Sequence, residues 1–181
     1  MVHSTVTLQT VRDSSHPWVK AVLPLYESAF PLEERRETDA LLRLIDNAPE
    51  MFFRVVLVDG VPVGLFITWD FGEFCYCEHL AVSSELRSAG IGGKVLEWLR
   101  REVPMFQILE VEPAETEMAE RRINYYKRNG FILLTQDYMQ PSYRAGGESL
   151  PLWLMGNREC DPETLAGYVR VIHERVYGFS A

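Results

Sequence analysis

One continuous passage of this chain, running from Glu73 to Glu112, restricts its fold more than any other. EFCYCEHLAVS is nearly all apolar, and such a strand belongs in the middle of a sheet, covered on both faces. The segment SSELRSAGIGG follows, in which Gly90, Gly92 and Gly93 fall within four residues. IGGKVLEWLRREV then has the apolar spacing of an amphipathic helix, and FQILEVE is a further strand. Strand, helix and strand in this order predict a right-handed parallel crossover. Glycine weakens strands and helices alike, so a glycine cluster at the junction needs a local reason. In open sheets of this kind, ligands bind at such junctions.

The rest of the chain fits around that unit. VTLQTV alternates as a first strand. Residues 16–29 and 33–47 read as two helices broken at Pro31, the second opening with the solvated run Glu33-Glu34-Arg35-Arg36. MFFRVVLVDGVPVGLFITWD is a hairpin turning at Asp59-Gly60. ETEMAERRINYYKRN is a helix ended by Gly130, FILLTQDYMQ and SLPLWLMG are two more strands, and the tail from Asp161 is a helix. The resulting order is β, α, α, β, β, β, α, β, α, β, β, α. That predicts an α/β layered fold, with a mixed sheet of about seven strands and helices on both faces. With 181 residues the expectation is one domain over 1–181.

Charge and cysteine usage narrow the function classes. A net charge of −8 argues against a nucleic-acid partner. The chain has no apolar run of about 18 residues, so no membrane span is expected. The N-terminus lacks a basic region followed by an apolar core, so no signal peptide is expected. Three cysteines, Cys75, Cys77 and Cys160, make no disulfide framework, and the expected location is cytoplasmic. No ligand cluster for a metal is visible, and Cys75 and Cys77 read as small core residues.

The start of a helix presents unpaired N–H groups and a partial positive charge, which suit a phosphate or pyrophosphate. Two phosphate loops fail against Arg87-Ser88-Ala89-Gly90-Ile91-Gly92-Gly93-Lys94. The P-loop needs Ser or Thr after its lysine, where Val95 stands, and a first glycine where Ser88 stands. The dinucleotide fingerprint needs a third glycine where Val95 stands. What remains is Arg-x-x-Gly-x-Gly after an apolar strand.

That remainder, in HLAVSSELRSAGIGGKVLEWL, resembles motif A of the GNAT superfamily of acyl-CoA-dependent N-acetyltransferases. INYYKRNGF resembles the family's helix-ending Tyr-x-x-x-Gly-Phe, here Tyr126, Gly130 and Phe131. YESAFPLEERR and MQPSY…LPLWLM are similar to a bacterial branch, and the likeness covers nearly the whole chain. It implies a GNAT-like sheet with splayed central strands. The backbone N–H groups from Ser88 to Lys94 would cradle the pyrophosphate of acetyl-CoA, with Gly90 and Gly92 allowing close approach and Gly93 permitting tight helix packing or a further contact. Arg87 would fix the loop or meet a phosphate, and the backbone of Leu80, Ala81 and Val82 would hold the pantetheine arm. Acetyl-CoA is then the co-substrate, and no metal is needed.

Acetyl transfer to an amine needs a base, because an alkyl ammonium has a pKa of about 10. It also gains from a proton donor to the departing thiolate. Tyr126 matches the family tyrosine placed as that donor; the competing reading is a packed aromatic. Glu78 interrupts an apolar strand, where a carboxylate is costly unless paired, hydrated or functional. It is the expected base, and the competing reading is a structural pair with an arginine. His79 is a rival facing the other way. Glu110 and Glu112 share a face of the next strand and could relay protons, bind the amine or be solvated strand-end charges. The expected activity is direct acetyl transfer from acetyl-CoA to a small-molecule or peptide amine, in a protein for which a homodimer is allowed. The alternative is a non-catalytic acyl-CoA-binding or protein-interaction module.

Overall fold

The computed structural model describes residues 4–180. Each expected strand forms where the apolar pattern of the sequence places it: β1 (Val6–Val11), β2 (Met51–Val58), β3 (Val61–Asp70), β4 (Phe74–Val82), β5 (Phe106–Val111), β6 (Ile132–Gln140) and β7 (Leu150–Gly156). The helices are α1 (Pro17–Ala29), α2 (Thr38–Asn47), α3 (Ile91–Glu102), α4 (Glu117–Arg128) and α5 (Pro162–Arg175), with short 3₁₀ turns at Leu32–Glu34 and Ser84–Ala89. The strands follow the order β1-β2-β3-β4-β5-β7-β6 in one seven-stranded mixed sheet. This is the α/β arrangement that the element order predicts.

The chain divides into two compact units. The first holds the residues up to Phe71 together with Cys77–Pro104. In it β1 pairs antiparallel with β2, from Val6 opposite Val58 to Val11 opposite Phe53, and β2 pairs antiparallel with β3. The β2–β3 turn is Asp59-Gly60, both at positive φ (50° and 82°), as a two-residue hairpin requires. Helix α1 lies against β2 and β3, α2 against β2 and α3 against β1. Tyr26, Leu41, Ile45, Met51, Phe53, Leu65 and Ile67 are among the large side chains buried there. Full burial of one such side chain stabilises the fold by about 1.5–3 kcal/mol. Gly64 of β3 has no room for a side chain: a Cβ there would lie 2.5 Å from the carbonyl oxygen of Ala81 and 3.3 Å from Cα of Val82.

The second unit holds Gly72–Tyr76 and the chain from Met105 onward. Here β7 lies between β5 and β6, antiparallel to both, with Glu110 opposite Leu154 and Tyr138 opposite Leu152. Helix α4 packs against β5. Tyr168 of α5 stacks on Phe74 (4.2 Å between centroids) and meets Phe106 (5.7 Å).

One expectation is corrected. The helix predicted over 33–47 begins only at Thr38. Arg35 is extended (φ −142°, ψ 162°), and Arg35 and Arg36 are buried rather than solvated. The N–H of Arg36 donates to the Tyr26 hydroxyl at 3.0 Å, and its guanidinium pairs with the Glu78 carboxylate. A buried ion pair with β4 holds these residues out of the helix that their local sequence favours.

Candidate active site

The glycine junction forms as its spacing predicts. A 3₁₀ turn over Ser84–Ala89 ends at Gly90, whose φ of 72° is left-handed, and α3 begins at the next residue. The N–H of Lys94 is the first to join the helical ladder, to Gly90 O at 3.2 Å. The N–H groups of Ile91, Gly92 and Gly93 therefore precede any intrahelical bond. The other helix starts are covered. His16, Thr116 and Asp161 cap α1, α4 and α5 with side-chain acceptors, and α2 has Asp39 in its first turn. Helix α3 alone of the five has neither a side-chain cap nor an acidic residue in its first turn. Arg87, Ser88, Ala89, Gly90 and Lys94 are exposed around that start, while Ile91 is buried and anchors it. Lys94 Nζ donates to Ser4 O at 3.4 Å. Leu80, Ala81 and Val82 lead into the turn along β4, and Ser83 N–H donates to Val63 O at 2.8 Å. An uncapped, glycine-lined, electropositive helix start flanked by Arg87 and Lys94 suits a phosphate or pyrophosphate.

Glu78 lies in the same unit, and its side chain is fully enclosed. Arg36 binds Oε1, and Trp69 Nε1–H donates to Oε2 at 2.8 Å. The Arg36 guanidinium also lies 5.5 Å from the centre of the Trp69 ring. Pairing with a guanidinium favours the ionised carboxylate, which burial alone would oppose. Of the two readings open for Glu78, the arginine pair is present in the structure, and a base role has to operate from within it. His79 is a core residue. Its Nε2–H donates to Glu34 O at 2.8 Å, its ring packs on Phe30 (4.3 Å) and Tyr26 (5.4 Å), and burial pushes its pKa down. Burial, reinforced by the charge of Glu78, pushes the Tyr26 phenol up to about 12.

Tyr126 belongs to the second unit, on α4, and is half-buried. Its carbonyl accepts from the N–H of Asn129 and of Phe131, both at 3.0 Å, closing the helix as Gly130 takes φ 90°. Its ring meets Phe131 edge-on at 5.8 Å. The Tyr125 phenol is pushed up to about 12 by burial. The two glutamates of β5 divide. Glu112 pairs with Arg122 at the surface (3.3 Å). The Glu110 carboxyl is closed in by Tyr76, Tyr138, Gln140 and Tyr177. Sequence reasoning missed Arg36, Trp69 and Tyr177. A glutamate inside an apolar strand calls for a counter-charge, and the adjacent arginines after Pro31 were the signal for it.

Comparison with known proteins agrees with this geometry. Residues 49–133 match the acetyltransferase (GNAT) domain. A solved structure from Bacteroides thetaiotaomicron, described as a "Putative acetyltransferase from GNAT family", is 36% identical with a TM-score of 0.91, over 96% of this chain and 99% of that one. The "Putative acetyltransferase YjbC" of Bacillus subtilis (strain 168) is 26% identical over 104 residues, 56% of this chain and 52% of that protein. The chain thus matches about half the length of that relative. A GNAT family acetyltransferase from Elizabethkingia anophelis, solved with acetyl-CoA bound, shares the fold at 13% identity and a TM-score of 0.55, over 83% of this chain and 96% of that one. Full-length likeness at that first level of identity, together with the glycine-led helix start, places this chain in the GNAT family of acetyltransferases.

Proposed function

We propose that this protein transfers an acetyl group from acetyl-CoA directly to a primary amine. The observation that carries the reading is the start of α3, which alone lacks both a capping side chain and an acidic first turn and is flanked by Arg87 and Lys94. The acetyl-CoA held by the Elizabethkingia relative supports the choice of donor. The N–H groups from Ser88 to Lys94 bind the pyrophosphate, and the backbone of Leu80, Ala81 and Val82 orients the pantetheine arm. Glu78 takes the proton of the acceptor ammonium. Arg36 keeps that carboxylate ionised, and only an ionised carboxylate can accept a proton. Tyr126 gives a proton to the departing thiolate.

The test is release of free CoA thiol from acetyl-CoA with a panel of polyamines, amino acids, peptides with free N-termini and lysine-bearing peptides. The reading predicts release with at least one class, lost in Gly92→Trp. Tight acetyl-CoA binding with no release across the panel would favour the binding-module alternative.

A further inference from the structure

The chain beyond α5 is tied to the sheet of the second unit through a buried carboxyl that has no counter-charge. Tyr177, two residues past the end of α5, sets its hydroxyl 3.0 and 3.2 Å from the two carboxyl oxygens of Glu110 on β5. The same hydroxyl lies 2.8 Å from that of Tyr76 on β4 and accepts from Gln140 Nε2 on β6 at 3.0 Å. Tyr76 OH is 2.8 Å and Tyr138 OH 2.9 Å from Glu110 Oε1, and Gln140 Nε2 also donates to Oε2. All of these groups belong to the second unit. Behind them, His173 Nε2 of α5 lies 3.3 Å from Tyr138 OH, and the Tyr143 ring packs on Tyr177 at 4.8 Å. The β7 residue paired with Glu110 is the apolar Leu154. Among the described residues no lysine or arginine pairs with Glu110.

The arrangement needs one proton more than the phenols supply. Tyr76 and Tyr177 carry one hydroxyl proton each. With an ionised Glu110, those two protons must serve Tyr76 to Glu110, Tyr177 to Glu110 and Tyr76 to Tyr177, so one pair of oxygens is left face to face. A proton on Oε2 completes the set. Oε2–H donates to Tyr177, Tyr177 donates to Tyr76, and Oε1 accepts from Tyr76 and Tyr138. Tyr138 then has a lone pair for His173 Nε2–H. Burial pushes the Glu110 pKa up, against the lowering effect of its donors, and pushes that of His173 down.

One partner can leave when that proton is lost. Tyr76 is 1% exposed in the middle of the sheet, and Tyr138 and Gln140 are held in β6. Tyr177 is half-buried on the last residues of the chain. The closed arrangement also carries a standing cost: Gln140 Oε1 is buried without a hydrogen-bond partner. Departure of the tail would let water reach that oxygen, which favours a second, open state.

We propose that Glu110 carries a proton in the closed protein, and that losing it to solvent unlatches the C-terminal segment, Val176 to Ser180, from the sheet. The O–H bond of the carboxyl is the only covalent bond that breaks, and a base in solution takes the proton. The latch is closed in acid and opens as pH rises. It does not depend on the transferase reading.

Infrared spectra of wild type and Glu110→Gln at about pH 6 test the proton. Their difference should contain the C=O stretch of a protonated carboxyl, and the wild-type band should fade as pH is raised. Absence of the band would overturn the proposal. Hydrogen exchange tests the latch. The N–H of Phe179 donates to His173 O at 2.8 Å and that of Val176 to Ile172 O at 2.9 Å, so both amides are protected while the segment is closed. Wild type and Glu110→Gln are compared at matched pH, which cancels the ordinary base catalysis of exchange. Above the pH where the infrared band fades, exchange in the segment should gain about tenfold per pH unit in wild type relative to Glu110→Gln, whose amide donates to Tyr177 at every pH. Tyr177→Phe leaves the tail without its hydroxyl and should exchange fast even in acid, with no further step; it carries the test if Glu110→Gln does not fold. Equal exchange in wild type and Glu110→Gln, or a pH step that survives in Tyr177→Phe, would overturn the latch.

Discussion

Replacing Arg36 by Met is the perturbation whose size the structure specifies best. The guanidinium is buried and the Glu78 side chain is fully enclosed, so neither charge reaches bulk water for compensation. Trp69 continues to donate one hydrogen bond to Oε2, but a single neutral donor does not balance a buried charge. Removing one partner of such a pair costs about 3–5 kcal/mol. Against a typical total of about 5–15 kcal/mol, this is a third or more of the stability in many proteins of this size. At roughly 2–4 °C per kcal/mol for a chain of this length, the fall in Tm is on the order of 10 °C. Replacing both members, as Arg36→Met with Glu78→Met, should cost less than either single change, because well-packed apolar pairs often match a buried ion pair. Urea unfolding of the four proteins of this cycle measures each term. Additive single costs, or a single cost under about 1 kcal/mol, would show that the pair does not hold the link between α1 and α2 onto β4.

Further outcomes follow from other contacts. Gly64→Ala puts a methyl 2.5 Å from the main-chain oxygen of Ala81, which cannot rotate away, so β3 and β4 must shift. A loss of about 1–3 kcal/mol in urea unfolding is expected, along with weaker acetyl-CoA binding because Ala81 and Val82 move. Tyr126→Phe should keep the fold by thermal unfolding and lower kcat; an unchanged kcat would remove Tyr126 from the chemistry. Because the folded pKa of Glu110 is raised above its ordinary 4.5, its contribution to stability is complete below that value and is lost as pH rises toward the folded pKa. Denaturant unfolding of Glu110→Gln should therefore show a smaller decline in stability above pH 4.5 than wild type.

The sequence was most legible where local chemistry decides the structure. The Asp59-Gly60 turn, the glycine-led start of α3 and the Gly130 end of α4 all lie where turn and cap chemistry puts them. The same apolar runs that located β4 and β5 also put Glu78 and Glu110 among apolar neighbours, where a carboxyl needs a partner. The partners themselves lie 42 residues from Glu78, at Arg36, and 67 residues from Glu110, at Tyr177. No local pattern encodes separations of that length. Local pattern also misled at Glu33–Arg36, where two acids followed by two bases look like an exposed helix start. The ion pair with Glu78, a tertiary contact, overrides that preference. Tyr126 was found by family likeness, since a tyrosine on an amphipathic helix has no signature of its own.

The most direct test of the account is thermal unfolding of wild type and Gly92→Trp with and without acetyl-CoA. An indole at the second residue of α3 would fill the space before the unpaired N–H groups. At 100 times the Kd, bound ligand adds about 2.7 kcal/mol to stability. The account predicts that rise in wild type and none in Gly92→Trp. No rise in wild type at millimolar acetyl-CoA, or an equal rise in both proteins, would contradict the assignment of the glycine-led start of α3 as the site that holds the donor.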